Sequence, residues 1–223
     1  LLVARVGFAA MAAAVALLAL LTRYLGLFGV WESALRSAAV SQVSLRDSIG
    51  ALLEHRRFLR FMASFVLFQA ALTMLLGLLP YYVSGVVRQD AEGIWVPLLT
   101  AVGLGTMMLA IPLFSRLARR TTPLHGYRIA MLAAALTFPL LGVAGFVPGI
   151  PVEGEAIVVL MLVGAPLAGV FLFPGPLVAE MCDEDALRSA GRREGVFYGA
   201  QAFVEKVATS IAPLILGLLL IFG

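Results

Sequence analysis

The segment Glu180-Met-Cys-Asp-Glu-Asp-Ala-Leu-Arg-Ser-Ala-Gly-Arg-Arg-Glu-Gly195 is dense in charges of both signs, and the apolar run Val196 to Phe222 follows it directly. We interpret the segment as a charged loop and the run as a membrane-spanning helix, because the run is long enough to cross a hydrocarbon core about 30 Å thick. Lys206, the only lysine of the chain, stands about 15 Å into that helix. A cation at this depth costs on the order of 3 kcal/mol to insert, so Lys206 predicts a functional site.

Lys206 and Glu205 are adjacent in sequence, but they point about 100° apart around a helix. We therefore expect the two charges to have different surroundings. Glu205 shares its face with Gln201, Thr209 and, two turns back, Tyr198. Lys206 shares its face with Gly199, Ala202 and Ser210. Among these residues we expect Lys206, Glu205, Gln201 and Tyr198 to contribute to a functional site.

The composition excludes a soluble domain, because 61% of the residues are hydrophobic and only 13% are charged. Backbone polar groups in lipid must be hydrogen-bonded internally, so the long apolar runs are predicted to be helices. Six runs are long enough to span: Leu1 to Leu21, Phe61 to Val87, Ile94 to Phe114, Ile129 to Val147, Ala156 to Ala179 and Val196 to Phe222. The predicted fold class is an all-α membrane protein.

Arginine placement predicts the orientation of the spans. Thirteen arginines fall in the connections between spans 1 and 2, 3 and 4, and 5 and 6, whereas only Arg5 and Arg88 lie on the opposite side. The positive-inside rule places those three connections in the cytoplasm of a multi-pass protein of the cell (inner) membrane. A net charge of +3 with this distribution points to a lipid bilayer as partner and does not imply nucleic acid. Cys182 is the single cysteine, so an internal disulfide and a multi-cysteine metal site are excluded.

Span 1 is followed by a long connection that divides the chain. Residues 1–30 are predicted to be the last helix of a first half, 31–57 a cytoplasmic linker, and 58–223 most of a second half that lacks its final helix. The motif Ser44-Leu-Arg-Asp47 is typical of a capping box that begins an amphipathic surface helix within the linker. The sequence does not begin with Met and ends in an apolar segment. We therefore expect a longer protein, in which the missing N-terminal half is a partner of this chain.

Several further residues carry open alternatives. Gln69 and Thr73 share a face at mid-depth of span 2 and either contact a polar solute or form hydrogen bonds between helices. The charges Asp183, Asp185, Arg192, Arg193 and Glu194 form either a cytoplasmic gate, whose pairs open and close, or a solvated loop. Phe173-Pro-Gly-Pro176 is the best candidate for a functional bend. His55 and His125 are predicted to be solvated loop residues.

The order of the motifs resembles one transporter family. Asp183-x-Asp185, then Gly191-Arg-Arg-Glu-Gly195 and Phe203-Val-Glu-Lys206, are similar to the signature of the glycoside-pentoside-hexuronide:cation symporters, the melibiose permease-like group of the major facilitator superfamily. His55-Arg-Arg-Phe58-Leu and Leu79-Pro-Tyr-Tyr-Val83 resemble the two ends of its seventh helix. The resemblance covers about residues 50–222. It implies twelve helices, of which this chain resembles helices 6 to 11, and alternating-access symport of a sugar or similar small-molecule solute with Na⁺, H⁺ or Li⁺.

The resemblance also implies roles for individual residues. With the transport function that it implies, we expect Lys206 and the polar residues Glu205, Gln201, Tyr198, Gln69 and Thr73 of spans 2 and 6 to contribute to coupling between a substrate and a cation. Lys206 matches the embedded lysine of the eleventh helix, near the sugar and cation sites, and Asp183, Arg192, Arg193 and Glu194 match the cytoplasmic gate. Two departures bear on the substrate: Glu54-His-Arg-Arg-Phe58 replaces the family's Asn-Arg-Pro-Phe, and Ala202 stands where a sugar carrier could use a hydroxyl. No cofactor is expected, and the site of the coupling ion (Na⁺ or H⁺) is expected outside this chain, on early helices of the first half.

Other functions remain as alternatives. A related carrier of lysolipid or another amphiphile would have the same composition. A polytopic membrane enzyme acting on lipid would need a His, Asp or Glu constellation at the interface, and the isolated histidines disfavour it. No span carries a motif typical of a channel filter. We therefore predict a transporter and not an enzyme.

Overall fold

The computed structural model describes residues 7–36, 45–143, 145, 149, 151–188 and 194–222. Its helices are α1 (Phe8–Arg36), α2 (Leu45–Glu54), α3 (Arg56–Tyr82), α4 (Trp95–Ala118), α5 (Pro123–Thr137), α6 (Val152–Leu172), α7 (Pro174–Arg188) and α8 (Glu194–Phe222). A π-helical turn, Val83–Val87, extends α3, and a 3₁₀ turn, Phe138–Gly142, extends α5. Within these described residues, six helical segments are long and apolar enough to cross a membrane. The predicted all-helical class and number of spans are confirmed.

The chain divides into two compact units, Leu1–Gln42 and Val43–Gly223. The first contains α1, which continues to Arg36, well beyond the predicted end of span 1 at Leu21. The residues after Arg23 are again apolar, so the sequence offers no signal to end the helix there. The second unit contains α2 to α8 and the hydrophobic core.

Glycines allow α4 and α6 to pack closely. A Cβ atom at Gly164 of α6 would lie 2.3 Å from the carbonyl oxygen of Gly103 of α4, so the two backbones are in direct contact. One turn and a half further on, Gly169 leaves room for the Phe114 ring and the Ala130 methyl. Small residues serve this purpose in membrane helices because dispersion contacts, not the hydrophobic effect, drive their association.

A break between α6 and α7 lies at the predicted bend. Phe173 separates the two helices, and its ring is 1% exposed because Gly126 of α5 provides space for it. Pro174 and Pro176 lack the backbone N–H groups that would continue the helix unbroken. The structure therefore has a break at Phe173-Pro-Gly-Pro176, where the bend is predicted; a functional role of the bend stays a prediction.

The start of the charged segment is helical. Helix α7 continues to Arg188, so the prediction of a loop from Glu180 onward is wrong for residues 180–188. The reason is intrinsic: Glu, Met, Ala, Leu and Arg are all favourable in helices, and they outnumber the aspartates there.

Helices α3 and α8 lie side by side and run in the same direction. The rings of Phe58 and Phe197 meet near both N-termini, with centroids 4.9 Å apart. Nearer the other ends, Gly77 lies against the Leu216 side chain. The interval from Phe58 to Gly77 on α3 has the same number of residues as the interval from Phe197 to Leu216 on α8. The two helices therefore stay in register. The end of the bundle at these N-termini, where α4 and α7 also finish, is called the arginine-rich end; its described arginines include Arg56, Arg57, Arg60, Arg116, Arg119, Arg120 and Arg128.

The opposite end is held by polar contacts between loops and helices. Gln89 Nε2 donates to Glu153 Oε1 at 3.0 Å, and the backbone N–H of Gly145 donates to Glu155 Oε2. Arg88 has the left-handed φ of 57° at the end of the π-helical turn. The two hydrogen bonds join each of the short connections at that end to the start of α6.

Candidate functional site

The surface of α8 is divided into three strips along its length. The first packs on the bundle through Phe197, Ala208, Ala212 and Leu216, all of which are buried. The second is exposed and bulky, with Phe203 and Leu214 about 70% exposed and Val207, Ile211, Leu218 and Ile221 beside them. The third, called the Lys206 strip, carries small side chains around one lysine: Gly195, Gly199, Ala202, Lys206, Ser210, Pro213 and Gly217. A Cβ atom at any of its three glycines would meet nothing within 4 Å.

Lys206 lies near the middle of α8 and is exposed on this third strip. Twelve residues separate it from Glu194, which is about 18 Å along a helix of about 43 Å. None of the carboxylates in the described part of the chain lies within 4.0 Å of its amine. The amine is thus placed at mid-depth on a face that is neither packed on the bundle nor built like a lipid-facing surface.

Three of the other predicted coupling residues lie on α8 but not with Lys206. Glu205 and Gln201 are partly buried beside the packed strip. The Tyr198 hydroxyl donates to the Gly175 carbonyl at a long 3.4 Å, next to the bend. The Thr209 hydroxyl donates to the Glu205 backbone carbonyl at 3.0 Å. Glu205 and Lys206 therefore have the different surroundings that their spacing predicted.

Gln69 and Thr73 lie at the corresponding depth of α3. The register between α3 and α8 places Gln69 level with Ala208, within one turn of Glu205 and Lys206. The Gln69 side chain is buried, and no described residue forms a hydrogen bond with its amide. The Thr73 hydroxyl donates to the Gln69 backbone carbonyl at 2.8 Å, within its own helix. Among the described residues, neither side chain therefore forms a helix-to-helix hydrogen bond.

A second candidate site, called the Arg57 cluster, consists of His55, Arg57, Glu180 and Glu184. Arg57 Nη2 lies 3.1 Å from Glu180 Oε1, and Nη1 lies 3.2 Å from Glu184 Oε2. One guanidinium at the start of α3 thus bridges two carboxylates one turn apart on α7. The pairs are partly exposed, which limits their contribution to roughly 1 kcal/mol or less each.

His55 joins three helices at the same end. Its Nδ1 accepts from the backbone N–H of Phe58, which caps α3, and its ring meets the Phe197 ring of α8 edge-on at 5.8 Å. Its Nε2 lies 3.8 Å from Glu184 Oε2 and has no hydrogen-bond partner within the described structure. The prediction of a solvated His55 is wrong, because capping α3 draws the ring under Phe197; His125 is exposed as predicted.

The predicted gate residues are only partly described. Asp183 is exposed, Asp185 is buried at 7% exposure, and Glu194 begins α8. Arg192 and Arg193 lie outside the described residues. The ion pairs between Arg57 and α7 were missed because Glu180 and Glu184 were assigned to a loop. Their spacing of four residues indicates that Glu180 and Glu184 share a helix face, but no sequence signal identifies Arg57 as their partner.

Metal chemistry finds no support in the described ranges, where no group of three His, Cys, Asp or Glu side chains could hold an ion. Cys182 is a buried free thiol among the core side chains of α7. The two candidate sites themselves present amino, guanidinium and carboxylate groups, which bind charged or polar partners electrostatically.

Comparison with known proteins adds one finding. A sequence model of the family described as MFS/sugar transport protein matches residues 2–223. No curated protein and no solved structure matches the chain.

Proposed function

Because the chain belongs to the MFS/sugar transport protein family, we propose that it acts in cation-coupled symport of a sugar, glycoside or similar small solute by alternating access. The family match points to a transporter rather than an enzyme, and the six apolar segments are those of a multi-pass membrane protein. Within the family we assign the chain to the glycoside-pentoside-hexuronide:cation group. The motif from Asp183 to Lys206 supports this assignment.

One observation carries the proposal: Lys206 stands on an exposed strip of α8 that is distinct from its bulky apolar strip. A lysine facing lipid at mid-depth costs on the order of 3 kcal/mol, and bulky apolar side chains would be expected around it. Small side chains instead leave space beside the amine for a solute or for another helix. We therefore place the Lys206 strip at a central cavity.

We base the coupling of solute and cation on the lack of a carboxylate near the Lys206 amine among the described residues. An amine without a carboxylate partner in the described bundle gains stability when a negatively charged or polar group reaches it. In the proposed cycle Lys206 exchanges partners between the solute and a carboxylate. We propose that Gln69, Thr73, Gln201, Glu205 and Tyr198, which lie off the Lys206 strip, support this exchange. The carboxylate and the Na⁺ or H⁺ site belong to a preceding half of the transporter, which faces the Lys206 strip.

The Arg57 cluster is proposed as part of the gate, together with Asp183, Asp185, Arg192, Arg193 and Glu194. Partly exposed pairs of this kind are weak enough to break and reform within a transport cycle. By the positive-inside rule we assign the arginine-rich end to the cytoplasmic side of the inner membrane. Residues 1–30 then end the first half, 31–57 link the halves, and 58–223 belong to the second.

The test is an uptake assay in proteoliposomes. The wild-type transporter is screened with labelled glycosides, pentosides, hexuronides and a lysophospholipid, under an imposed Na⁺ gradient, an H⁺ gradient or neither. We expect gradient-driven uptake of a sugar-like solute. Uptake of the lysophospholipid alone would favour the related amphiphile carrier, and uptake that ignores both gradients would contradict symport.

The role of Lys206 is tested with matched variants in the same vesicles. Lys206→Ala should abolish gradient-driven accumulation, while Val207→Ala, which shortens the neighbouring side chain on the bulky strip, should leave it near the wild-type level. Unchanged counterflow and ion dependence in Lys206→Ala would contradict the proposed coupling role.

A further inference from the structure

A cavity of about 600 Å³ opens between α3 and α5 at the arginine-rich end. Arg57, Arg60 and Arg128 line it together with Ser64, Tyr127 and the apolar side chains of α5. It lies on the side of α3 that faces α5, away from the side that packs on α8. The volume is within the usual range for a ligand pocket, and none of the predicted coupling residues lines it.

The three guanidinium groups of the cavity are not equivalent. Arg57 is engaged by Glu180 and Glu184. Arg60 and Arg128 are exposed, and neither has a carboxylate within 4.0 Å in the described part of the chain. Two uncompensated guanidiniums beside one cavity attract an anion, and their planar donor groups match phosphate oxygens in particular.

The remaining walls of the cavity are apolar and extend along α5 toward the middle of the membrane. From Leu124 to Ala135, α5 contributes a wall about 16 Å long, close to half the thickness of a hydrocarbon core. Leu132, near the deep end, is 65% exposed. Between the charged mouth and this wall, Ser64 Oγ lies 3.4 Å from Tyr127 Oη and donates to the Phe61 backbone carbonyl at 2.9 Å, which places polar atoms at an intermediate depth.

We propose that this cavity binds an anionic phospholipid, with the phosphate between Arg60 and Arg128 and one acyl chain along α5. The Ser64 and Tyr127 hydroxyls then lie level with the polar glycerol region of the lipid. A free phosphate ion would leave the apolar wall uncovered, and an apolar protein helix would leave the two guanidiniums without counter-charge. Basic pockets between membrane helices are suited to lipid head groups for the same electrostatic reason.

The test places a fluorescent reporter in the cavity. Leu132→Trp is introduced into a transporter whose native tryptophans, Trp31 and Trp95 among them, are changed to Phe, and the protein is reconstituted with brominated phosphatidylglycerol or brominated phosphatidylcholine. A second reporter, Leu109→Trp on the exposed surface of α4, serves as the general lipid control. We expect phosphatidylglycerol to quench the Leu132→Trp reporter at least about fivefold more effectively per mole, the effect of one arginine on an anionic lipid. The Leu109→Trp reporter should show no preference between the two lipids.

Arginine variants complete the test. Arg60→Gln/Arg128→Gln should remove the preference of the cavity reporter, whereas Arg119→Gln/Arg120→Gln, two exposed arginines at the same end, should retain it. Equal quenching by the two lipids, or equal loss in both double variants, would overturn the proposed anion site. If no brominated lipid quenches the cavity reporter, the cavity is filled by another helix or a second copy, and the proposal is wrong.

Discussion

The Arg57 cluster and the Lys206 strip hold positive charge in opposite ways. Arg57 lies between two carboxylates at the end of the bundle, with about a third of each side chain exposed. Lys206 stands at mid-depth with no carboxylate in reach among the described residues. A boundary pair changes stability little, whereas an unpaired amine within a membrane is costly. Arg57 thus has its counter-charges within the bundle, whereas we expect Lys206 to meet a partner from outside it.

The largest expected effect tests the difference between the two exposed strips of α8. Val207→Lys places a second amine on the bulky strip and should destabilise the inserted protein by about 3 kcal/mol. Ser210→Lys, one turn from Lys206 on its own strip, should be tolerated considerably better. The yield and thermal unfolding of monodisperse protein in micelles measure both; equal losses would show that the two strips face the same medium.

A second comparison sets the α4–α6 contact against the open Lys206 strip. Gly164→Ala places a methyl group 2.3 Å from the Gly103 carbonyl oxygen and should lower the free energy of unfolding by about 1–3 kcal/mol. Gly199→Ala adds the same group where nothing lies within 4 Å, so it should leave the free energy of unfolding unchanged or raise it by up to about 1 kcal/mol, since Ala is favoured over Gly within a helix. Unfolding in mixed micelles compares them, and an equal loss in Gly199→Ala would mean that the strip is already packed.

At the arginine-rich end, His55 should contribute through its cap on α3. His55→Ala removes the acceptor for the Phe58 N–H and should destabilise the protein by about 1 kcal/mol. His55→Asn keeps an acceptor at the same position and should recover most of that loss. Thermal unfolding in micelles compares the two variants, and an Asn variant as unstable as the Ala variant would assign the effect to the lost ring contact with Phe197.

The smallest expected effect is the coupling between Arg57 and Glu184. A double-mutant cycle with Arg57→Gln and Glu184→Gln should give a coupling free energy of about 0.2–1 kcal/mol, as for other partly exposed pairs. Chemical unfolding of the four proteins supplies the value. A coupling free energy well above this range would mean that the Arg57–Glu184 pair is too stable to break during a transport cycle, which would contradict a role in a gate.

The fold class and the spans could be predicted because apolar length is a strong, local signal. Six segments and the break at Phe173 follow from hydrophobic runs and from prolines without a backbone N–H. The end of α7 could not be predicted as readily, since helix propensity and high charge point in opposite directions over residues 180–188. Assigning residues 180–188 to a loop had a consequence, because only a helix places Glu180 and Glu184 on one face, where both contact Arg57.

Contacts between distant residues lay beyond sequence reasoning. The burial of His55 depends on Phe197, and the cavity lined by Arg60 and Arg128 depends on how α3 and α5 pack. The different surroundings of Glu205 and Lys206 could be predicted, since helical geometry alone separates adjacent side chains. The roles of the predicted coupling residues remain predictions that depend on a facing partner.

The most direct measurement of the central claim is the access of water to the Lys206 strip. Lys206→Cys and Phe203→Cys are made separately with Cys182 changed to Ser, and each is treated in proteoliposomes with a small, charged thiol reagent. We predict that the Lys206→Cys variant reacts much faster than the Phe203→Cys variant, and that a transported solute slows its reaction. An unreactive Lys206→Cys variant, or a Phe203→Cys variant that reacts equally fast, would contradict a cavity at Lys206.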